Sequence, residues 1–561
     1  MPGWLDVWRS FWSRSGHERA RLLRTAWHSL REHGAGATAH RVRRSARFAS
    51  DRDAENARYA RWCHTHTPDA AALEEMKAAS ARFAYQPLVS IITPVYNTDP
   101  RWLHACGASV VAQAWPRWEW HVANDGSDDP RTLDTLAELA AIDARITVHD
   151  LPENGGISAA SNVALRAATG DYVALLDHDD ALLPHALFRV VEHLNQVEVR
   201  PDVLYTDEDK LEPDGSRSDA YFKPDWSLEL FLSNMYACHL LVARRALAAA
   251  VGGFRSAFDF SQDYDLVLRL MERASRIDHL PDVLYHWRKV PQSTATAGGA
   301  KPTAHLAGRR ALQDYLDRNG IGGSVADAGP PGFYRIVYAL DAAPAVSIVG
   351  PFGAEEQARL RSATSWPSLE FAARAAEATA QHLLFLDPAF EPQSPDWLAA
   401  LVQVLRPGVG AVGGKLLRAD GTVEHIGLVL GLDGVAGRPF VNAPADHPGY
   451  FGNALLIRNV SAVTGDCLLT TRETFARVGG LDESFGRDGA AVDYCLKVRE
   501  RSGRVVFTPW SVLRRRVPAP VPGVDADAAE RLRTRWGDAL ARDRYYSPHL
   551  STHFLDYRVD A

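Results

Sequence analysis

The sequence predicts an α/β protein with a parallel sheet, present in two copies. Three observations predict it. Short apolar, β-branched runs end in polar clusters: PLVSIITPVYN, WEWHVANDGSDD and DYVALLDHDD. Stretches of helical character, Pro130 to Ala141 and Ser158 to Ala168, separate them. The same series then recurs later in the chain. Strands alternating with helices imply a parallel sheet. Ligands of such sheets bind at the carboxyl ends of strands, which is where all three polar clusters fall.

At 561 residues the chain exceeds one core, since domains of roughly 100–200 residues are usual. Hydrophobic residues at 46% and charged residues at 23% indicate a folded chain. The formal net charge of −7 argues against a nucleic-acid partner. Cys63, Cys106, Cys238, Cys467 and Cys495 include no CxxC pair, so neither a zinc knuckle nor a disulfide framework is indicated. Thiols scattered in this way suit a reducing cytoplasm. No stretch reaches the ~18 apolar residues of a membrane span. The opening MPGWLDVWRSFW lacks a long apolar secretory region, so any membrane contact is expected to be peripheral.

Residues 1–86 read as a helical, basic extension. Trp4, Trp8, Phe11 and Trp12 recur at helical spacing, and arginines are dense from Arg19 to Arg47. Such a helix either lies on an anionic membrane surface or packs its Trp face on the body of the protein. Residues 87–340 hold the first α/β unit and 341–520 the second. AVSIVGPFG repeats LVSIITPVYN, HLLFLDPAFEP repeats YVALLDHDDALLP, and VGGLDESFGRDGAAVDYCLKV repeats VGGFRSAFDFSQDYDLVLRL. The order is kept, but the first two echoes stand closer together, so part of that region is trimmed. Residues 521–561 follow a Pro-rich link as a helical, Arg-rich tail.

Asp177-His178-Asp179-Asp180 closes the run Tyr172 to Leu176. Carboxylates crowded at a strand end repel one another unless a cation sits among them. Oxygen ligands suit Mg or Mn, which would in turn bind a diphosphate; a solvated acidic turn is the competing meaning. In Asn124-Asp125-Gly126-Ser127-Asp128-Asp129, Gly126 allows close backbone approach to a ligand, and Asp125 suits a base N–H. An ordinary Asx turn competes there. Glu153-Asn154-Gly155-Gly156-Ile157-Ser158 opens a helix whose free N–H groups suit phosphate, or which Ser158 simply caps. Gln262-Asp263-Tyr264-Asp265-Leu266 begins an amphipathic helix running to Met271. Asp263 is a candidate general base, whereas Asp265 reads as a helix-dipole residue. His286 follows a short strand and is either a late-arriving metal ligand or a structural histidine.

The ordered set VSIITPVYN, NDGSDD, ENGGISAASN, LLDHDD, VGGF, SQDYDLVLRL and LYHWR resembles glycosyltransferase family two over residues 87–300. YTDEDKL and FKPDWS resemble its subgroup for O-antigen and other surface-polysaccharide biosynthesis, as does a tandem arrangement with a degenerate second domain. The resemblance implies a GT-A fold, a Rossmann-like nucleotide-diphospho-sugar transferase, duplicated behind the helical extension. It implies an inverting, metal-dependent enzyme using divalent Mg or Mn. The donor would be a UDP- or dTDP-sugar, the transferred group hexosyl or deoxyhexosyl, and the acceptor a hydroxyl of a glycan or lipid-linked glycan. The place implied is the cytoplasm, at the inner face of the plasma membrane.

Residue by residue, the resemblance puts Pro94, Tyr96, Asn97, Asp125, Asp128, Gly155, Gly156 and Asn162 around the nucleotide. It puts Asp177 at the ribose, Asp179 on the metal, His286 on the metal or diphosphate, and Asp263 as the base. Gln262 replaces the Glu of the family's Glu-Asp pair, which touches a helper role and not the base. One rival is a nucleotidyltransferase, whose Gly-rich basic loop TPVYNTDPRW lacks. The other is a non-catalytic nucleotide-sugar-binding scaffold, against which the intact Asp177, Asp179 and Asp263 argue in the first copy. In the second copy Ala389 aligns with Asp179, Phe390 with Asp180, Ala491 with Asp263 and Arg514 with His286. That copy is expected to be inactive.

Overall fold

The structure, a computed structural model, describes residues 52–290, 302–340 and 342–561. The Trp and Arg pattern of residues 1–51 lies outside them. Chain order gives β1 Val89–Val95, β2 Trp118–Asn124, β3 Ile146–Asp150, β4 Tyr172–Leu175 and β5 Ala181–Leu182. Then follow β6 Val203–Leu211, β7 Arg217–Tyr221, β8 Leu241–Arg244 and β9 Ile277–Arg288. They form one sheet in the order β3-β2-β1-β4-β8-β6-β9-β5, with β7 on β6.

The local sequence explains the elements. In β1 the apolar residues are buried, as a strand covered on both faces requires. Asp99 and Asp129 each cap a helix by accepting a backbone N–H, and each precedes a proline at the first helical position, Pro100 and Pro130. The last aspartate of NDGSDD is therefore a helix cap.

The sheet corrects the parallel expectation in one half. β3, β2, β1 and β4 are parallel, but β8 runs antiparallel to both β4 and β6. The chain leaves β7 opposite Glu208 and re-enters as β8 opposite Tyr205. It thus continues in the same direction along β6, without the helical crossover that a parallel entry needs.

A hairpin of β10 Gly323–Asp327 and β11 Tyr334–Tyr338 separates this sheet from the next. The second series is β12 Val346–Val349, β13 Leu369–Ala372, β14 His382–Leu386, β15 Phe390–Pro392, β16 Val409–Leu417 and β17 Val423–His425. It continues with β18 Val429–Leu430, β19 Ala436–Gly437, β20 Arg458–Asn459, β21 Cys467–Thr471 and β22 Arg504–Arg515. The second sheet runs β13-β12-β14-β21-β16-β22-β15. Strand for strand this is β2-β1-β4-β8-β6-β9-β5, with the same parallel or antiparallel sense at every pairing. The counterpart of β3 is missing, together with its flanking helices, which is the trimming the sequence shows.

A shared clasp marks the duplication at residue level. Glu119 accepts from the Ser90 hydroxyl (2.6 Å) and from the Thr169 amide (2.6 Å) and hydroxyl (2.9 Å). Glu370 accepts likewise from Ser347, from the Thr379 amide and hydroxyl, and from the Ala380 amide. Burial pushes both carboxyls up, but these donors outweigh it and hold each at about 2.

Residues 52–66 and the C-terminal tail pack on this body. A helix over 52–66 buries Tyr59 and Trp62 against Phe222, and Trp62 meets His549 from the tail. The tail is helical only from Ala526 to Trp536 and through one 3₁₀ turn to Leu540. Beyond it Tyr546, Leu550, Tyr557 and Val559 are buried at irregular spacing, and Pro548 has no N–H to give a helix. No helix among the described residues is long and apolar enough to cross a membrane.

Candidate active site

The carboxyl ends of β1 and β4 open on a cleft. Pro94, Asp177, Cys238, His239, Gln262 and Asp263 are among its lining residues. Two acidic positions read from the sequence, Asp177 and Asp263, thus meet in one cleft although helices and strands separate them in the chain.

The acidic turn after β4 is held from β9. Buried Asp180 accepts from the Tyr285 hydroxyl (2.6 Å) and the Arg288 amide (2.7 Å). Arg288 Nε donates to the Asp179 carbonyl (2.8 Å), and the Asp177 amide donates to Tyr285 Oη (3.2 Å). Burial pushes Asp179 above the usual carboxylate range and Asp177 adds to it, against His178. Burial, then Asp179 and Asp177, raise Asp180 further. Burial also acts on Asp177, but His239 outweighs it and holds Asp177 low. Three carboxylates crowd this turn, and its oxygen donors fit a hard divalent cation.

No motif in the sequence marks His239 as a site residue. It stands just before β8, with Nε2 3.6 Å from Asp177 Oδ2 and Nδ1 3.3 Å from Glu208 Oε2. Its ring stacks on Tyr285 at 4.6 Å. Lys223, fully buried, donates to Glu208 (3.0 Å) and to the His239 carbonyl (2.6 Å). Burial alone would raise Glu208, but Lys223 and His239 bring it down to about 2. Asp177, Asp180 and His239 offer ligand atoms within 4.8 Å of one another, and so do Glu208, Cys238 and His239. Neither group contains Asp179 or His286.

Asp263 sits in the first turn of the helix Gln262–Met271. Burial raises its carboxyl above the ordinary range; the Tyr264 amide and His239 oppose this and Asp177 reinforces it. Asp265, two residues on, is fully buried between Arg255 and Arg269 and accepts from both. Its role is to hold the helix. Asp265→Ala leaves the buried Arg269 guanidinium without its carboxylate, while Arg255 keeps Asp314, and should cost about 3–5 kcal/mol, the usual scale for breaking a buried ion pair. Thermal unfolding should show it as a lower Tm; an unchanged Tm would contradict it.

The expected nucleotide residues fall into two groups. Pro94 lines the cleft, and Tyr96 is exposed beside it. The others are tied to one another. Asn97 donates to Asp128 (2.7 Å) and accepts from the Asp128 and Asp129 amides. Both oxygens of Asp125 accept amides, from Gly155 (2.8 Å) and Gly156 (3.0 Å), so the aspartate orders the glycine loop. Gly126 has φ +66°, and a Cβ there would lie 2.6 Å from the Glu153 backbone. It is glycine so that two loops can touch. Asn162 bonds the Phe254 amide and carbonyl, each at 2.8 Å, and so ties its helix to the loop before Asp263.

His286 is not brought to the acidic turn. It lies inside the twelve-residue strand β9, and its Nδ1 bonds Asp209. Tyr285 and Glu208 pair in register, as do His286 and Asp209. Successive strand residues face opposite ways, so the His286–Asp209 pair lies on the face away from His239. In the second copy Arg487 bonds both Asp387 and Asp466, where the first copy has its cleft.

Residues 90–245 match the family model described as Glycosyl transferase family 2. This segment is a family-two glycosyltransferase domain. It holds the acidic turn, Glu208 and His239, while Asp263 lies beyond its matched end. An uncharacterized Sinorhizobium fredii protein, y4gI, is 37% identical over 84% of this chain and 58% of its own length. A Myxococcus xanthus protein named O-antigen biosynthesis protein RfbC is 36% identical over 89% of this chain and 43% of its own. A Pasteurella multocida hyaluronan synthase is 32% identical over 36% of this chain and 20% of its own. The chain spans about half the length of the first two relatives. Both of them match well beyond the family-two domain, so they share the tandem part as well.

Proposed function

We propose that the first copy transfers a sugar from a nucleoside-diphosphate donor to a hydroxyl of a surface glycan. The observation that carries this is the meeting of Asp177, His239 and Asp263 in one cleft of a family-two domain. Asp263 takes the proton of the acceptor hydroxyl as its oxygen attacks the anomeric carbon, and the bond from that carbon to the diphosphate breaks. One displacement inverts the centre. A divalent cation, Mg or Mn, held at the acidic turn would supply Lewis-acid stabilisation of the departing diphosphate. Pro94 and the loops ordered by Asn97, Asp125 and Asp128 shape the nucleotide side. A relative named for O-antigen biosynthesis and another named as a hyaluronan synthase support a polysaccharide acceptor. Hexosyl transfer from a UDP- or dTDP-sugar at the inner membrane face is the finer form of this reading.

The division into 87–340, 341–520 and a tail is part of the proposal, supported by the repeated sheet and the stretch between Tyr338 and Val346. The second copy serves as a scaffold. It lacks the β3 region, carries alanine at the Asp179 and Asp263 positions, and bridges Asp387 with Arg487. The test is release of nucleoside diphosphate from a panel of nucleotide sugars, with Mg²⁺, Mn²⁺ or chelator. Metal-stimulated release from one donor is expected; release from none, with glycan acceptors present, would overturn the reading.

A further inference from the structure

We propose that His239 is a direct ligand of the divalent cation, paired with Asp177 across the mouth of the acidic turn, with the Glu208 carboxylate beside its second ring nitrogen. This rests on the metal-dependent reading above. Metal-bound histidines almost always turn their second ring nitrogen to a carboxylate. His239 has that arrangement: Nδ1 faces Glu208 at 3.3 Å, and Nε2 faces Asp177 Oδ2 at 3.6 Å. Adjacent ligand atoms of an octahedral ion with bonds of about 2.1 Å stand about 3 Å apart, and opposite ones about 4.2 Å. The gap between Nε2 and Asp177 lies between these limits, and an Asp180 oxygen lies within 4.8 Å of both.

The ring is fixed in advance. Tyr285 stacks on it with an interplanar angle of 15°, and Trp287 lies 5.3 Å away. Lys223 holds both the Glu208 carboxylate and the His239 backbone.

The second copy gives an independent observation. Pairing of β4 with β8 runs Tyr172–Arg244, Val173–Ala243, Ala174–Val242. Continued to the strand ends, it sets Asp177 opposite His239. Pairing of β14 with β21 ends at Leu386–Cys467, and the next pair is Asp387 with Asp466, joined by an amide-to-carbonyl bond of 3.1 Å. Arg487 bonds both of those carboxylates. The second copy thus supplies its own cation between the two residues that match Asp177 and His239. A position filled by a guanidinium in one copy is a position for positive charge in the other.

Imidazole suits softer divalent ions than an all-oxygen set does, so Mn²⁺ should bind more tightly than Mg²⁺. Pulsed EPR of the full chain loaded with Mn²⁺, alone and with UDP, should show ¹⁴N coupling from a coordinated imidazole. His239→Ala should remove that coupling and weaken Mn²⁺ about tenfold or more. Glu208→Gln should weaken it about 10-fold to 100-fold, as loss of an outer-shell carboxylate does. Asp263→Asn should leave Mn²⁺ binding unchanged. Bound Mn²⁺ without nitrogen coupling in the unaltered protein, or with coupling that survives His239→Ala, would overturn the ligand assignment and leave the transferase reading standing. No Mn²⁺ binding in any state would overturn both.

Discussion

Asp263→Asn should leave donor binding nearly unchanged and cut turnover by about 10²-fold or more, the usual scale of general-base catalysis. The exchange keeps the shape of the side chain and the start of the helix Gln262–Met271, and removes only the basicity. Burial raises the Asp263 carboxyl above the ordinary range, with Asp177 adding to the shift. That brings the base closer to the working pH, as an effective base requires. Turnover needs the ionised carboxylate, so it should fall as pH drops through a value above that of an ordinary aspartate, and Asp263→Asn should lose this acid limb. Donor affinity that collapses while turnover holds would make Asp263 a binding residue.

Asp179→Ala should abolish turnover and its response to metal together. Asp179 supplies one of the three carboxylates that crowd the turn and suit a cation there. Asp179→Ala removes an oxygen donor without disturbing the anchors of the turn, which run through the Asp180 carboxylate and the Asp179 main-chain carbonyl. Normal turnover with an intact metal requirement would remove Asp179 from the site and leave the cation to Asp177, Asp180 and His239.

Much of this architecture is legible in the sequence because it is local. β1, β2 and β4 are apolar runs, and the first two helices between them start at Asp caps followed by proline. The duplication is legible because apolar positions and the Gly-Gly turn persist in both copies. What is not legible depends on pairing across the sheet. The antiparallel entry of β8, which delivers His239 to Asp177, follows from the path after β7 and from no residue pattern. Asn162 looks like a pocket residue until its two bonds to Phe254 are seen. His286 looks like a ligand until its register with Asp209 places it on the other face.

One signal was there to be used. YTDEDKL puts three carboxylates in a strand that begins Val203-Leu204-Tyr205. Charges in a buried strand must be paired, and each has a partner: Asp207 with His279 at 2.7 Å, Glu208 with Lys223 at 3.0 Å, Asp209 with Arg217. Such a strand asks for cations from elsewhere in the chain, and Lys223 in FKPDWS answers it.

The central claim is that the chemistry belongs to the first copy alone. The most direct test is the full chain carrying Asp179→Ala and Asp263→Ala together, with the second copy untouched, assayed for release of nucleoside diphosphate from the preferred donor. The account predicts that release falls to the level without enzyme while the protein stays folded. Release that persists at a substantial fraction of the unaltered rate would show the second copy to be active and would contradict the account.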